Sequence, residues 1–415
     1  MMGSAPPETK HESTFQADAE SVLGRLQAIF RDMLDALPRH ARKAHQVARL
    51  LRIDKNLAWR VTKVAHGPDP FAAAQHVPGR SALETFLVAA KRHSVPEVLL
   101  ESVIRVFDDF EELIRVHAGD RASFKMMLTG CAETDRGAAD VLHRRTAFRG
   151  NSCIWGVQAK TQLQLLLVRP GDDPHLIHLA MVKGFFKLRQ LRANAPLVIG
   201  SILCSDGDGV VRRSFTSSPI DPASEQTQGI SLLREFCSRP LPKVRAVDLG
   251  GGFLHWELRG NGIGDTAAIT CVEGNVAHNA ASRYRDEHNP IGQTSAIVCI
   301  PSEVLIVDFL IREDTFGPIT PEAAVYGKLP GMTPPPGPNQ ERDRLALDES
   351  VIYLGKGPSV LHTPDVPKYP EMARYVFDKL GWDGERFDVY RCRIEYPVVP
   401  SSVELRFDLP DPPGA

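Results

Sequence analysis

The 415-residue sequence lacks the features that mark membrane and secreted proteins. No apolar run reaches the roughly eighteen residues that a membrane-spanning helix needs. The first sixteen residues, MMGSAPPETKHESTFQ, hold no apolar core of a signal peptide. We therefore expect a cytoplasmic protein with no membrane partner.

Cysteine is sparse and scattered. The seven cysteines stand singly, with no Cys-x-x-Cys pair. This spacing argues against a zinc ribbon, a redox dithiol and a disulfide framework. We expect buried, reduced packing residues and no metal site.

The commonest catalytic and nucleotide-binding motifs are also missing. The sequence has neither the Gly-x-Ser-x-Gly elbow of serine hydrolases nor the Gly-x-x-x-x-Gly-Lys-Ser/Thr loop that cradles phosphates. No catalytic residue and no cofactor are therefore assigned, and a non-enzymatic function is favoured.

What the chain does have is a short pair of helical patterns from Val47 to Val64, VARLLRIDKNLAWRVTKV. Apolar residues at spacings of three and four form two stripes, which a break at residues 52–55 separates. The break is too short for an antiparallel helical hairpin, and Asp54 can cap the second helix. The pattern predicts a helix-turn-helix.

The second helix would turn five side chains outward: Lys55, Asn56, Trp59, Arg60 and Lys63. They comprise three cations, an amide and an aromatic ring, with no acid. Such a face suits the major groove of DNA.

The stretch resembles the helix-turn-helix of bacterial repressors of the LacI and Cro type, over about twenty residues. Ala48 occupies the close-packed position, Ile53 the apolar turn position, Asp54 the capping position and Val61 the buried position of the recognition helix. Arg52 stands where glycine is common, so its backbone is expected to avoid the left-handed conformation. The resemblance implies a sequence-specific transcriptional regulator that binds double-stranded DNA as a homodimer.

Local charge favours the same interpretation. Between residues 39 and 63, eight cations accompany the single acid Asp54, although the whole chain carries a net charge of −2. Neutralising phosphates supplies most non-specific affinity for DNA, whereas a merely solvated helix face usually mixes charges of both signs.

Each residue of the predicted interface has an expected contact. Asn56 and Arg60 would read base edges, adenine and guanine respectively, and Lys55 and Lys63 would reach bases or phosphates. Trp59 would either pack against the first helix or touch a sugar or thymine methyl. The remaining expected contacts are to phosphates, from Arg39, Arg42 and Lys43.

Composition and length predict several domains. We expect disorder over 1–17, a helical domain with the helix-turn-helix over 18–149, an α+β domain over 150–328, a Pro-rich linker over 329–344, and an α+β part over 345–415 packed on 150–328. The predicted fold class is thus multidomain: an all-α N-terminal domain followed by an α+β domain.

The C-terminal part reads mainly as strands, with a helix expected at 231–237 and another at 369–380. Its expected role is sensing or association, and a sensing domain would take a small-molecule effector. Asp308, Glu313 and Asp314 form an acidic group with no His or Cys partner nearby in the sequence.

An alternative function comes from VRAVDLGGG at 244–252, followed by an acid on a later strand. The pair resembles the first two motifs of class I methyltransferases, with Asp248, Gly250, Gly252 and Glu273 as the residues toward S-adenosylmethionine. The last glycine of that pattern falls on Leu254. A glycine turn between two antiparallel strands explains the same residues without a ligand.

Overall fold

The computed structural model describes residues 15–38, 43–131, 136–203, 217–224, 226–227, 230–250, 253–260, 262–287, 290–327 and 341–413. The chain divides into two compact units, Met1–Ala139 and Asp140–Ala415. Each unit is described by itself.

The described part of the first unit is helical. Its helices, with the last one running into the second unit, are α1 (Phe15–Asp35), α2 (Ala44–Leu51), α3 (Lys55–His66), α4 (Pro70–Ala74), α5 (Arg80–Lys91), α6 (Glu97–His117), α7 (Arg121–Cys131) and α8 (Arg136–Trp155).

The long helix α1 organises this unit because one of its faces is apolar. Leu23, Leu26, Phe30 and Met33 recur at helical spacing and are all buried. They pack against α3 and α6 in one continuous core. Burying side chains of this size contributes about 1.5–3 kcal/mol each, so this stripe fixes α1 beneath the helix-turn-helix segment.

The second unit is built mainly from strands. In chain order they are β1 (Val157–Pro170), β2 (Leu176–Gln190), β3 (Leu197–Leu203), β4 (Ser217–Pro219), β5 (Gln226–Thr227), β6 (Ile230–Ser231), β7 (Val244–Gly250), β8 (Phe253–Leu258), β9 (Ile269–Ser282), β10 (Ile291–Val298), β11 (Ser302–Arg312), β12 (Glu322–Tyr326), β13 (Val351–Lys356), β14 (Phe387–Glu395) and β15 (Ser401–Asp408). One further helix, α9 (Tyr369–Leu380), precedes β14.

A seven-stranded sheet in the order β13-β14-β11-β1-β2-β9-β4 is the centre of this unit. Its strands β1 and β11 run parallel, whereas β1–β2, β2–β9 and β11–β14 are antiparallel. Two three-stranded sheets, β10-β15-β12 and β3-β8-β7, accompany it.

Strand β1 shows why the central sheet is buried on both faces. Leu163, Leu165 and Leu167 belong to the core that includes α9, whereas Leu166 and Val168 belong to the core shared with β10, β12 and β15. Successive residues of a strand point to opposite faces, so an unbroken apolar run fits a strand covered on both sides.

The fold class predicted from the sequence is wrong. The protein is a mixed α/β chain in which helices are followed by a β-rich region with a large, mostly β sheet. The helix expected at 231–237 is instead the end of strand β6 and a single 3-10 turn over 234–236. Helix α8 also continues past residue 149, the predicted end of the helical domain, to Trp155.

Two of the predicted segments fall wholly or partly outside the described residues. Residues 1–14 of the expected disordered N-terminus and residues 329–340 of the Pro-rich linker lie outside the described residues. Residues 15–17 belong to α1.

The expectation of buried cysteines holds for some of them. Cys237, Cys271 and Cys392 are buried, but Cys153 and Cys299 are exposed. Among the helices that the structure describes, none is both long and apolar enough to cross a membrane.

Candidate nucleic-acid interface

The helix-turn-helix predicted between Val47 and Val64 corresponds to helices α2 and α3. Helix α2 ends at Leu51 and α3 begins at Lys55. The side chain of Asp54 accepts hydrogen bonds from the backbone N–H groups of Asn56, at 2.8 Å, and Leu57, at 3.2 Å. These bonds satisfy two of the free N–H groups that every helix start presents.

Arg52 closes α2 in the left-handed conformation, with φ 55° and ψ 43°. The expectation that its backbone avoids this region is therefore wrong. A residue with a Cβ atom loses about 1–2 kcal/mol there. The turn thus keeps the geometry usually provided by glycine, at a cost in stability.

The two helices are fixed by their buried faces. Val47, Ala48 and Leu51 of α2 share one core with Ala58 and Val61 of α3. Val61 is fully buried, as expected for the recognition-helix position that it matches. This packing leaves the polar residues of α3 at the surface.

Helix α3 presents an amide and a cation in its first turn and a second cation in its last turn, as expected of a recognition helix. Lys55, Asn56 and Lys63 are exposed, and so is Lys43, which precedes α2. Arg39 and Arg42, the other two residues assigned to phosphates, lie outside the described residues.

Trp59 lies at the surface between two basic side chains. It is 42% exposed, its ring meets that of His76 edge-on at a centroid distance of 5.0 Å, and the Nζ atom of Lys63 lies 5.9 Å from its centroid. An aromatic ring in this position offers an apolar surface beside the positive charge of Lys63.

Arg60 forms hydrogen bonds with the backbone of a later segment, which its position in the sequence did not suggest. It is half-buried, its Nε donates to the carbonyl oxygen of His76 at 3.0 Å, and its Nη2 donates to that of Val77 at 2.7 Å. A guanine contact through the same Nε–Nη2 edge would require both bonds to break. The spacing of apolar residues could not predict these hydrogen bonds, because the partners of Arg60 lie in the connection after α4.

A second arginine holds the same connection. Nη2 of Arg121, on α7, donates to the carbonyl oxygen of Pro78 at 2.9 Å, and its Nη1 lies 3.4 Å from that of Val77. Burial and the nearby Arg60 lower the pKa of Arg121. Residues 76–78 are thus clamped between two guanidinium groups.

The cations of the helix-turn-helix differ from those elsewhere in this unit. Within the described ranges, these five form no ion pair: Lys43, Arg49, Arg52, Lys55 and Lys63. By contrast, Arg80 pairs with Asp108 and Glu111, and Arg115 pairs with Glu112.

His76 lies where several of these charges converge. Its pKa is lowered, chiefly by burial and then by the positive charges of Lys63, Arg60 and Lys125. The imidazole is therefore mainly neutral at neutral pH.

The residues of the alternative methyltransferase reading do not come together. Asp248 lies on β7, in the sheet β3-β8-β7, whereas Glu273 lies on β9 of the seven-stranded sheet, opposite Lys183. The motif requires neighbouring strands of one sheet. Gly250 pairs with Phe253 across an antiparallel hairpin, and Gly252 lies outside the described residues.

The acidic group of the second unit is partnered by arginine and lysine. Asp308 is fully buried and accepts bonds from Arg391 Nε, at 2.8 Å, and Arg391 Nη2, at 2.7 Å. Tyr369 donates its hydroxyl to the same carboxylate at 2.6 Å. Burial lowers the pKa of Arg391, but the hydrogen bonds and charge of Asp308 raise it by more, so the guanidinium is charged. Burial raises the pKa of the Asp308 carboxyl against the opposing effect of Arg391.

The remaining acids of this group form surface ion pairs. Glu313 contacts Lys356 and Arg386, and Asp314 contacts Arg312. Sequence reasoning missed Lys356 and Arg386 because they lie far along the chain from Glu313, whereas Arg312 is only two residues from Asp314. Within the described part of the chain, no cluster of three or more His, Cys, Asp or Glu side chains could hold a metal ion.

No family model matches the chain, and none of the curated proteins does. Among solved structures, the chain is similar to the yeast delta-COP-I mu-homology domain complexed with a Dsl1 WxWxV peptide. The match has 13% identity and a TM-score of 0.15, and it covers 62% of this chain and 76% of that one. A likeness this weak carries no argument about fold or function.

Proposed function

We propose that the protein is a cytoplasmic, sequence-specific DNA-binding regulator of transcription whose α3 enters the major groove of double-stranded DNA. The observation that carries the proposal is the set of exposed, unpaired cations on the helix-turn-helix, within the described residues: Lys43, Arg49, Arg52, Lys55 and Lys63. An unpaired cation has no protein carboxylate to give up when it binds a phosphate.

Asn56 is the strongest candidate for reading sequence. It is exposed in the first turn of α3, where recognition helices contact base edges, and an amide can make two hydrogen bonds to adenine. Lys55 and Lys63 flank it for phosphates or bases. Arg60 stays a candidate for guanine, but only if it releases the carbonyl oxygens of His76 and Val77.

Selectivity argues for two copies of the chain. A single recognition helix reads too few base pairs to select one site, whereas a two-fold dimer reads paired half-sites about one helical turn apart. We assign the β-rich second unit to association or to sensing of a small-molecule effector.

Selection of bound sequences from a random pool of DNA duplexes tests the proposal. The full chain should enrich one motif with two half-sites. Asn56→Ala should lose preference at one position of each half-site, by about 1–3 kcal/mol, while other positions keep theirs. Lys43→Ala should weaken binding to all sequences alike.

Lys91→Ala is the matched control, because Lys91 is an exposed lysine that pairs with Glu97. It should leave both the motif and the affinity unchanged. Enrichment of no sequence, together with equal weak binding by the wild type and Asn56→Ala, would contradict sequence-specific recognition.

A further inference from the structure

The segment after α4 is part of the surface of the recognition helix. Arg60 holds the carbonyl oxygens of His76 and Val77, and Arg121 holds that of Pro78. The ring of His76 then lies against Trp59, with a centroid distance of 5.0 Å. His76 is thus fixed beside the outward face of α3, although it lies ten residues beyond the end of that helix.

The surroundings of His76 are positive. The charged groups that act on it are Lys63 and Arg60 of α3 and Lys125 of α7. No acid is among them. Its ring nitrogens form no hydrogen bond with any residue that the structure describes.

We infer that His76 is a further phosphate-contacting residue of the DNA interface, and that its ring takes up a proton from solvent when the duplex binds. This inference rests on the proposed function and adds a residue outside the helix-turn-helix to it. The partner is the phosphate backbone, because the surrounding groups are cations and a ring nitrogen can donate to a phosphate oxygen.

Protonation of His76 and binding of the duplex should favour each other. In the free protein, burial and the neighbouring cations keep the pKa of His76 below its ordinary value, so the ring is neutral. A phosphate beside the ring raises that pKa in the complex, because it stabilises the charged form. Binding is therefore strongest at low pH and weakens as the pH rises through the pKa of the complex.

Arg60 acts in this scheme as a positioning residue. Its two bonds to the 76–77 backbone place the imidazole on Trp59, next to Lys63. Arg60→Ala should therefore reduce the pH dependence of binding even if Arg60 touches no base.

The test measures the affinity of the full chain for a selected duplex by fluorescence anisotropy at about pH 6 and about pH 8, at constant ionic strength. Wild-type affinity should fall by about threefold or more over this range. His76→Phe keeps a ring against Trp59 but cannot bind a proton, so its affinity should be the same at both values and equal to that of the wild type at the higher one.

His93→Gln is the control, since His93 lies between α5 and α6 and is not among the groups that act on His76. It should keep the pH dependence. Binding by the wild type that is equal at both pH values, or a pH dependence that His76→Phe retains, overturns the role of His76 and leaves DNA binding standing. No binding by the wild type at either pH overturns the proposed function itself.

Discussion

Arg60 and His76 are joined by a hydrogen bond from the Arg60 Nε to the His76 carbonyl oxygen, at 3.0 Å. The bond ties the middle of α3 to a connection sixteen residues later. Helical periodicity predicts that the Arg60 side chain is exposed, but this bond holds it half-buried against the connection. The polar residues of α3 proposed to contact DNA that remain exposed are those nearer its start and Lys63, beside Trp59.

Removing that support should lower stability. In Arg60→Ala the carbonyl oxygen of His76 loses its side-chain partner and that of Val77 keeps only the longer bond from Arg121, so the free energy of unfolding should fall by about 1–3 kcal/mol. Urea unfolding followed by circular dichroism measures the loss without DNA. Lys55→Ala is the control, because Lys55 is exposed, and its change should stay within about 0.5 kcal/mol. Equal stability of the two variants would show that the clamp contributes nothing.

The turn between α2 and α3 can be made more stable. Arg52 has φ 55°, and glycine adopts this conformation without a Cβ clash. We expect Arg52→Gly to raise the free energy of unfolding by about 1 kcal/mol. The reference is Arg49→Gly, inside α2, which should lower it by about 1 kcal/mol. If both substitutions lower the free energy of unfolding, the left-handed conformation of Arg52 does not cost the fold stability.

In the second unit, the pair Asp308–Arg391 should show strong coupling. Asp308→Leu leaves the Arg391 guanidinium buried without its carboxylate and should cost about 3–5 kcal/mol. Adding Arg391→Met removes the stranded charge, so the double variant should be more stable than Asp308→Leu alone. A double-mutant cycle from urea unfolding gives the coupling energy. Additive losses would show that the two residues act independently.

Stability at acid pH should depend on Asp221. This buried carboxylate accepts bonds from the Tyr375 hydroxyl, at 2.6 Å, and from Lys379 Nζ, at 3.0 Å. Its pKa is lowered, chiefly by Tyr375 and then by Lys379 and a backbone N–H, against burial, which raises it. A lowered carboxylate pKa stabilises the fold above the unfolded pKa of about 3.9, and this stabilisation disappears as the pH falls through the folded pKa.

Thermal unfolding from about pH 6 down to about pH 2 checks this. Asp221→Asn should be less stable at the upper end and should lose less stability toward acid than the wild type. Tyr375→Phe should shift the wild-type loss to higher pH, because the largest cause of the lowered pKa is gone. Identical acid profiles for all three proteins would contradict the assigned role of Asp221.

Local features of the helix-turn-helix could be predicted from the sequence. Apolar spacing located α2 and α3, and the short side chain of Asp54 caps the helix that follows it. These features depend on residues within a turn or two of each other, so they can be predicted from a single sequence.

Contacts between distant parts of the chain could not be predicted in this way. The clamp of Arg60 and Arg121 on residues 76–78 joins three segments, and Asp308 meets Arg391 and Tyr369 across separate elements. The helix predicted at 231–237 was wrong for a related reason. The run at 231–237 has helical spacing, but tertiary packing of Ile230 and Leu233 against β9 gives it a strand and a single turn.

The salt dependence of DNA binding is the most direct test of the central claim that unpaired cations of the helix-turn-helix bind phosphates. Anisotropy of a labelled duplex between about 50 and about 200 mM salt gives the slope of log affinity against log salt. The wild type should have a steep negative slope, and Lys55→Ala with Lys63→Ala should flatten it by about 4, because each of the two copies on the duplex loses two cations. A wild-type slope near zero, or an unchanged slope in the double variant, would contradict the claim.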